Sequence, residues 1–291
     1  MDKIYIVGGG ASGMMAAIQA KTKDNEIILL EKNDRVGKKI LATGNGKCNL
    51  GNENLSVNCY YSKNSSFVEQ VLKRYDTESA VSFFDSIGLK VRSKNGYLYP
   101  YAEQASVVLD VLRMELERRS IQVKPGVQIT DCTPLINKRG YLLKTPDGRS
   151  YEADRVILAC GGPASLKEGG KDGYNILQKL GLKTYPLVPG LVQLRTDGKE
   201  QKALSGVRCK ASLRLFADGI QQGSEQGELQ LTDYGISGIP VFQLSRVAAY
   251  ALRNRKSVMV QIDFTPEYSY DEIVTYLLEQ QNLRKDQTVD E

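Results

Sequence analysis

Three glycines near the amino terminus have the spacing that the binding of a dinucleotide diphosphate requires. Gly8, Gly10 and Gly13 follow the pattern Gly-x-Gly-x-x-Gly directly after a short apolar run. Gly8 lets the chain turn tightly, Gly10 lets a pyrophosphate approach the backbone, and Gly13 lets the next helix pack closely on the strand. We therefore expect that helix, which begins with Ala11 and Ser12, to direct its free N–H groups and its positive dipole end at the anion.

A carboxylate completes this pattern. Glu31 ends a second apolar run, residues 27–30, at the distance where an acid accepts hydrogen bonds from an adenosine ribose. The same carboxylate disfavours a ribose 2′-phosphate. A glycine triplet alone is a weak signal, because such triplets occur in ordinary turns without a ligand. The strand before it, the alanine-rich helix after it and Glu31 together favour a dinucleotide site.

The segment after Glu31, residues 32–50, is too polar for a buried element and indicates a ligand-binding loop. Its cationic side chains could neutralise a diphosphate, its glycines permit a close approach to the backbone, and its amides can bind a planar heterocycle. These residues are Lys38, Lys39, Lys47, Gly44, Gly46, Asn45 and Asn49. The alternative is an exposed loop whose lysines contact only solvent.

The composition narrows the class of protein and its chemistry. The 291 residues are 41% hydrophobic and 25% charged, as expected of a soluble globular protein large enough for two domains. A net charge of +5 permits anionic ligands without requiring nucleic acid. Five scattered cysteines disfavour a disulfide framework or a zinc site and fit a reducing cytoplasm. The absence of histidine excludes Ser–His and Cys–His nucleophile pairs, and we expect no metal site.

The amino terminus shows no secretory signal, and the sequence contains no apolar span long enough to cross a membrane. We therefore expect a soluble, cytoplasmic protein.

A second ligand signature follows an apolar strand that ends near residue 158. The strand delivers Ala159, Cys160, Gly161 and Gly162 at its carboxyl end, the edge where open α/β sheets bind ligands. Taken alone, the segment would indicate only a buried strand that ends in a turn. Because it follows the first signature in the same chain, we expect this segment to form a second wall of the dinucleotide site. Cys160 is interpreted as a small buried thiol, because the strand beside it is apolar.

Residues 8–13, 30–33 and 36–50 closely resemble the amino-terminal signature of the YhiN/BaiN-type flavoproteins, also called aminoacetone-oxidase-like FAD-binding enzymes. The third segment is much more specific than the glycine triplet. The resemblance implies FAD, bound as in the wider glutathione-reductase-like class. It includes Lys32 among the residues of the cofactor site, and we expect flavin contacts from Asn45, Cys48 and Asn49.

The same class implies two further contacts. A small antiparallel meander stands at this place in its fold, and the strand before the meander commonly meets the adenine through its backbone. Val127, in the predicted strand 127–131, is the candidate for that contact. Ala159, Gly161 and Gly162 resemble the Ala-x-Gly-Gly motif that lies against the dinucleotide. The sequence departs from the family at residues 163–168, where a Ser-Tyr-Pro-like run is usual.

The expected architecture is α/β, with a glutathione-reductase-like Rossmann FAD-binding domain and a small antiparallel meander in residues 1–190. Residues 191–291 are expected to form an antiparallel β domain with a helix, inserted into the first domain, and Pro186, Pro189 and Gly190 mark the boundary. The family returns after that insertion to a glycine-rich stretch that contacts the flavin. The sequence therefore looks like a truncated form, for which we expect weakened or absent FAD binding.

Local patterns predict several further elements. Ser65 and Ser66 are predicted to cap a helix with Phe67 on its apolar face, and Phe67 is assigned to the core rather than to a ligand. Asn95-Gly96 predicts a hairpin turn. Tyr97, Tyr99 and Tyr101 follow this turn and resemble the family's segment beside the substrate region, but the sequence leaves their role open.

The leading functional hypothesis is an FAD-dependent oxidoreductase that transfers hydride to or from an unidentified small molecule. NAD(P)H would visit as a co-substrate, because only one complete dinucleotide fold is visible. One alternative is a flavin-dependent RNA-modifying protein, which no basic stripe interleaved with aromatic residues supports. Another is a non-catalytic module that holds FAD or binds a partner. The sequence identifies no catalytic residue.

Overall fold

The computed structural model describes residues 1–164, 172–197, 202–284 and 288. The chain divides into two compact units, Met1–Thr184 and Tyr185–Glu291. Most of the segment that departs from the family pattern, residues 163–168, lies outside the described residues.

The first unit contains strands and helices in alternation. Its strands are β1 (Asp2–Val7), β2 (Asn25–Glu31), β3 (Gly51–Asn52), β4 (Val91–Lys94), β5 (Tyr97–Pro100), β6 (Gln122–Pro125), β7 (Asp131–Pro134), β8 (Tyr141–Lys144), β9 (Ser150–Ala153) and β10 (Arg155–Leu158). Its helices are α1 (Ala11–Ala20), α2 (Ser65–Arg74), α3 (Thr77–Ser86), α4 (Ala105–Arg118) and α5 (Asp172–Lys179). Short 3-10 segments lie at Ile40–Gly46 and Val57–Cys59.

A four-stranded parallel sheet in the order β10, β1, β2, β6 forms the centre of this unit. The chain runs outward from β1 through β2 to β6 and then returns to the other side of β1 as β10. The strand order therefore reverses between β1 and β10. In open α/β sheets, ligands bind beyond the carboxyl ends of the strands at such a reversal.

Both faces of the parallel sheet are covered, which explains why β1 and β2 are apolar throughout. On one face, α1 and α4 enclose a core that contains Ile6, Ile18 and Leu29. On the other face, the antiparallel meander of β7, β8 and β9 and helix α5 enclose a second core with Leu30 and Leu143. The two cores fix the carboxyl ends of β1 and β2 from both sides.

A separate three-stranded antiparallel sheet, in the order β3, β5, β4, follows the long loop. Its hairpin turn is formed by Asn95 and Gly96, both with positive φ, at 53° and 81°. Two consecutive residues in this conformation are typical of the turn that best fits the twist of a two-residue hairpin. The hairpin prediction is therefore confirmed.

The predictions for the start of α2 are wrong. Asn64, rather than Ser65 or Ser66, caps the helix, because its side chain accepts a hydrogen bond from the Phe67 N–H at 3.1 Å. All three side chains are competent caps, so their types alone could not decide between them. Phe67 is 61% exposed, and no residue of α2 is buried, so the placement of Phe67 in a core is also wrong.

The predicted strand 127–131 is wrong except for its last residue. Residues 127–130 belong to no strand, and β7 begins at Asp131. The Val127 N–H donates to the Glu31 carbonyl at 2.9 Å. The chain therefore stays beside the last residue of β2 after β6 has ended.

The second unit is an antiparallel sheet with two helices. Its strands are β11 (Leu194–Arg195), β12 (Arg208–Ala217), β13 (Ile220–Thr232), β14 (Gly235–Ser237) and β15 (Val258–Asp263), and its helices are α6 (Ile239–Arg253) and α7 (Tyr270–Leu283). The order in the sheet is β11, β14, β13, β12, β15. Leu213, Leu215 and Leu229 of the sheet pack with Val241 and Leu244 of α6. The α/β class, with a parallel sheet, a small meander and a second mainly-β unit, is confirmed.

Among the described residues, no helix combines the length and the hydropathy needed to cross a bilayer.

Candidate functional site

A crevice of about 380 Å³ lies beyond the carboxyl ends of β1, β2 and β10. This volume lies within the range of about 300–1,000 Å³ that is typical of small-molecule sites. The crevice is at the reversal of strand order, where the fold predicts a ligand. The predicted site residues that line it are Gly8, Gly10, Ala11, Ser12, Glu31, Lys32, Lys38, Lys39, Val127, Ala159 and Gly161.

The three motif glycines occupy different positions around the turn from β1 to α1. Gly8 has a φ of 108°, and a Cβ there would overlap the carbonyl oxygen of Ala159 at the end of β10. A Cβ at Gly13 would overlap the carbonyl oxygen of Gly8, so Gly13 lets α1 pack against the turn. A Cβ at Gly10 would meet no atom within 4 Å, because that position faces the open crevice. Gly10 therefore leaves room for a ligand, whereas Gly8 and Gly13 leave room for the protein itself.

The amino terminus of α1 is well suited to an anion. Its N-cap, Gly10, has no side chain that could accept from the first N–H groups, and the first turn contains no acidic residue. The first hydrogen bond within the helix joins the Met14 N–H to the Gly10 carbonyl at 2.9 Å. The N–H groups before Met14 and the positive end of the helix dipole are therefore available to a diphosphate in the crevice.

Glu31 is buried, with 7% of its surface exposed, and its carboxylate organises the glycine turn. One oxygen accepts from the Gly9 N–H at 2.6 Å, and the other accepts from the Asn33 N–H at 2.8 Å and from the Asn33 side-chain amide. Each carboxylate oxygen has two lone pairs, so further acceptor capacity remains for a ribose hydroxyl.

Gly9 is a residue that the sequence pattern missed. A Cβ at this position would come within 2.5 Å of Val36 Cγ1 and 3.0 Å of the Glu31 side chain. The Gly9 carbonyl also accepts from the Gly37 N–H at 2.8 Å, which ties the long loop to the glycine turn. Gly9 is not part of the motif, so only the packing around it shows that a side chain would be excluded.

The predicted cations do not act as a group. Lys38 pairs with Asp34 at 2.6 Å, and Lys39 donates to the Gly162 carbonyl at 2.9 Å. Both lysines still line the crevice, but Lys47 does not, since it is paired with Glu103. Lys39 thus joins the long loop to the segment after β10 and keeps a positive charge at the crevice wall.

The second half of the long loop lies outside the crevice lining. Gly44, Asn45, Gly46 and Asn49 are exposed, and Gly13 and Gly162 also lie outside the lining. Cys48 is buried in the core beneath α1 and α4, with 8% of its surface exposed. Positive φ angles at Gly44, Asn45, Gly46 and Cys48 give this segment its compact shape. Flavin contacts from Asn45, Cys48 and Asn49 stay a prediction.

Several other residues of the crevice were absent from the predicted set. Gln128 donates to the Asp172 carboxylate at 3.0 Å, and Lys32 lies 3.9 Å from the same carboxylate. Thr43 and Cys160 also line the crevice. Burial raises the pKa of the Cys160 thiol, and the nearby Asp172 carboxylate raises it further. The raised pKa keeps Cys160 in the thiol form at neutral pH, although its side chain is only half-buried and not fully buried as interpreted from the sequence.

The crevice fits an adenine dinucleotide diphosphate. The N–H groups at the uncapped start of α1 could bind the diphosphate, the buried Glu31 carboxylate could accept from a ribose hydroxyl, and the apolar side chains of Val127 and Ile129 could cover a purine. Because the Val127 N–H already donates to Glu31, an adenine contact from its backbone would have to use the carbonyl oxygen. Among the described residues, no cluster of acidic and cysteine side chains could hold a metal ion.

Comparisons with known proteins agree with this geometry. The model of the HI0933-like protein Rossmann domain matches residues 2–237, and that of the HI0933-like protein barrel and H2TH domain matches residues 188–291. A 3-dehydro-bile acid delta(4,6)-reductase of Clostridium scindens is 41% identical over 276 residues, which cover 94% of this chain and 67% of that protein. A ribosomal RNA dihydrouridine synthase of Haemophilus influenzae is 26% identical over 92% of this chain and 65% of that protein.

The chain thus spans about two thirds of the length of the curated relatives that it matches. Among solved structures, THI4 of Thermovibrio ammonificans matches with a TM-score of 0.43 and 18% identity, over 62% of this chain and 63% of that one.

Proposed function

Because the chain belongs to the HI0933-like family, the YhiN/BaiN-type FAD-dependent oxidoreductases, we propose that its crevice binds the adenosine diphosphate portion of FAD in a flavin-dependent reductase of a small molecule. The family membership confirms the resemblance noted in the sequence. The observation that carries the proposal is the crevice itself, in which the uncapped start of α1, the open position at Gly10 and the buried Glu31 carboxylate converge.

Each wall of the crevice has a role in holding the cofactor. The first N–H groups of α1 bind the diphosphate, and Gly10 lets it approach the backbone. Glu31 accepts from the ribose hydroxyls while it holds the glycine turn through the Gly9 N–H. Lys39 keeps the segment after β10 against the long loop and adds positive charge beside the diphosphate. These residues bind and orient, and none of them needs to exchange a proton.

When bound, FAD supplies hydride transfer, which the side chains of this protein cannot perform by themselves. The absence of histidine in the chain is compatible with a reaction whose hydride transfer is supplied by FAD.

The substrate class follows from the relative with 41% identity, whose name describes the reduction of double bonds in a 3-dehydro-bile acid. We infer for the present protein a small, flat substrate with a carbon–carbon double bond conjugated to a ketone. Relatives named as ribosomal RNA dihydrouridine synthases are 26% and 24% identical, so RNA is the second candidate substrate. Both candidates share reduction of a carbon–carbon double bond by the flavin.

The experiment measures FAD binding and flavin reduction on the purified protein. We expect calorimetry to detect weak FAD binding with one site per chain, in line with the expectation from the sequence, and NADH or NADPH to bleach the flavin absorbance without oxygen. Gly10→Val should abolish FAD binding and keep the circular dichroism spectrum, because its side chain would fill only the open crevice. Glu26→Gln, which changes a partly exposed carboxylate on β2 that lies outside the crevice lining, is the control and should bind FAD normally.

Three results would contradict parts of the proposal. FAD binding that survives Gly10→Val would place the cofactor elsewhere. Bound flavin that no nicotinamide reduces would favour a non-catalytic module. Salt-sensitive retention of ribosomal RNA, together with failure to reduce any conjugated ketone, would favour the RNA substrate.

A further inference from the structure

A second cationic site lies outside the crevice, on the three-stranded sheet. Lys47, Arg92 and Lys94 converge on the carboxylate of Glu103, and we call these four residues the Glu103 cluster. Lys47 Nζ lies 2.7 Å and Lys94 Nζ 3.7 Å from the carboxylate, and Arg92 donates a hydrogen bond to it. The Glu103 side chain is 16% exposed, whereas its three partners are 42–57% exposed. The positive groups therefore face solvent above a recessed carboxylate.

The cluster carries a surplus of positive charge. Hydrogen bonds from Lys47 and Arg92 lower the pKa of Glu103 to about 2, so the carboxylate is ionised at neutral pH. Three cations and one carboxylate leave two positive charges without a counter-charge inside the cluster. A phosphomonoester carries about −1.5 to −2 charges at pH 7, which matches this surplus.

Aromatic rings stand beside the cations on the same face. In the register of β4 and β5, Arg92 faces Tyr99 and Lys94 faces Tyr97, and directly opposed residues share one face of a sheet. Tyr97 is 48% exposed and Tyr101 is 67% exposed. The Arg92 guanidinium lies 5.4 Å from the centre of the Tyr101 ring. Exposed rings beside cations are the arrangement on which nucleotide bases stack while their phosphates are neutralised.

The cluster and the crevice share one loop. Lys39, Ile40 and Thr43 line the crevice, and the same loop then continues to Lys47 in the cluster. The crevice itself is unsuited to a 2′-phosphorylated ribose, because the Glu31 carboxylate occupies the ribose position. A nucleotide with a 2′-phosphate therefore needs a different site, and the cluster has the charge that the crevice lacks.

We propose that the Glu103 cluster, with Tyr97 and Tyr101, binds the 2′-phosphoadenosine portion of NADPH, with the phosphate on Lys47, Arg92 and Lys94 and the base on the tyrosines. The naming of NADPH rests on the proposed flavin-dependent function, whereas binding of a phosphomonoester nucleotide does not. The inference predicts a preference for NADPH over NADH.

The test uses 2′,5′-ADP as the probe and calorimetry as the readout, so that it needs neither FAD nor activity. Lys94→Gln is expected to weaken binding about tenfold, since a hydrogen bond to a charged group is lost. Glu103→Gln should tighten binding, because it removes the one negative charge of the cluster. Lys138→Gln is the control, since Lys138 is 60% exposed and pairs with Glu152 on the meander, and its affinity should equal that of the wild type.

Opposite shifts for Lys94→Gln and Glu103→Gln could not come from a general loss of folding, so they would support the site. The inference is overturned if 2′,5′-ADP does not bind, if all three variants bind it alike, or if the same substitutions change only the affinity for a single-stranded RNA oligonucleotide. FAD binding without 2′,5′-ADP binding would refute this site and leave the proposed function intact. Binding of 2′,5′-ADP without FAD binding would refute the proposed function and leave the site as a nucleotide site.

Discussion

Replacing Glu31 with glutamine tests whether the carboxylate holds the glycine turn before any cofactor is present. In the structure the carboxylate accepts three hydrogen bonds, one from Gly9 and two from Asn33. Glutamine keeps one carbonyl oxygen and places an NH₂ group where the other carboxylate oxygen stood. The less costly orientation keeps both bonds from Asn33 and turns the NH₂ group toward the Gly9 N–H, so that two donors face each other.

The cost of Glu31→Gln follows from these contacts. A buried donor without a partner costs about 1–3 kcal/mol, and each bond that changes from a charged to a neutral acceptor loses about 1 kcal/mol. For one unpaired N–H and two weakened bonds, we expect the free energy of unfolding of the first unit to fall by about 3–5 kcal/mol. Affinity for FAD should fall as well, because the ribose loses its ionised acceptor.

The assay is urea denaturation of the FAD-free protein, followed by far-ultraviolet circular dichroism, with calorimetry for FAD. Glu26→Gln is the matched control, because it makes the same chemical change on the same strand, where the side chain is 36% exposed. The control should stay within about 0.5 kcal/mol of the wild type. If Glu31→Gln behaves like this control, the carboxylate does not hold the turn, and the physical account of the site is wrong.

Three further predictions concern packing, pH and the second unit. Gly13→Ala should destabilise the first unit, because its Cβ would overlap a backbone oxygen, whereas Gly10→Ala should not, since its Cβ meets open space; thermal unfolding compares the two. Glu115 has its pKa lowered to about 2 by hydrogen bonds from neighbouring arginines, so its stabilising effect is complete above the ordinary value of 4.5 and is lost as the pH falls toward 2. Glu115→Gln should therefore flatten the dependence of stability on pH in that window, and an unchanged slope would contradict the ion pairs. Ser245→Ala should cost about 1–3 kcal/mol and speed hydrogen exchange at the Val192 amide, which donates to the buried Ser245 hydroxyl at 3.2 Å.

The parts of the fold that the sequence predicted correctly are those set by local patterns. Apolar runs, the glycine triplet and an acid at a fixed distance define the β1, α1, β2 unit, because each signal lies within one strand or one turn. The Asn95-Gly96 turn is similarly local. In each case the residue type determines the backbone conformation directly.

The features that escaped prediction depend on neighbours that are distant in sequence. Gly9 is constrained by Val36 and by the Glu31 side chain, and no pattern in the residues around Gly9 reports that contact. The exposure of Phe67 follows from what packs on α2, which an amphipathic pattern cannot tell. The Glu103 cluster joins a loop, a strand and a turn, so its charge surplus becomes visible only after the chain has folded.

The pairing of β1 with β10 means that the parallel sheet can be completed only late in the synthesis of the first unit. Ile4 lies beside Arg155 in the sheet, although they are joined through nearly the whole first unit. On a ribosome that adds about 5–20 residues per second, β10 is synthesised roughly 8–30 s after β1. Until then one edge of β1 is unpaired, and the wall of the crevice formed by Ala159 does not exist. Nascent chains that end before β10 should therefore be the ones that chaperones bind and that FAD does not stabilise.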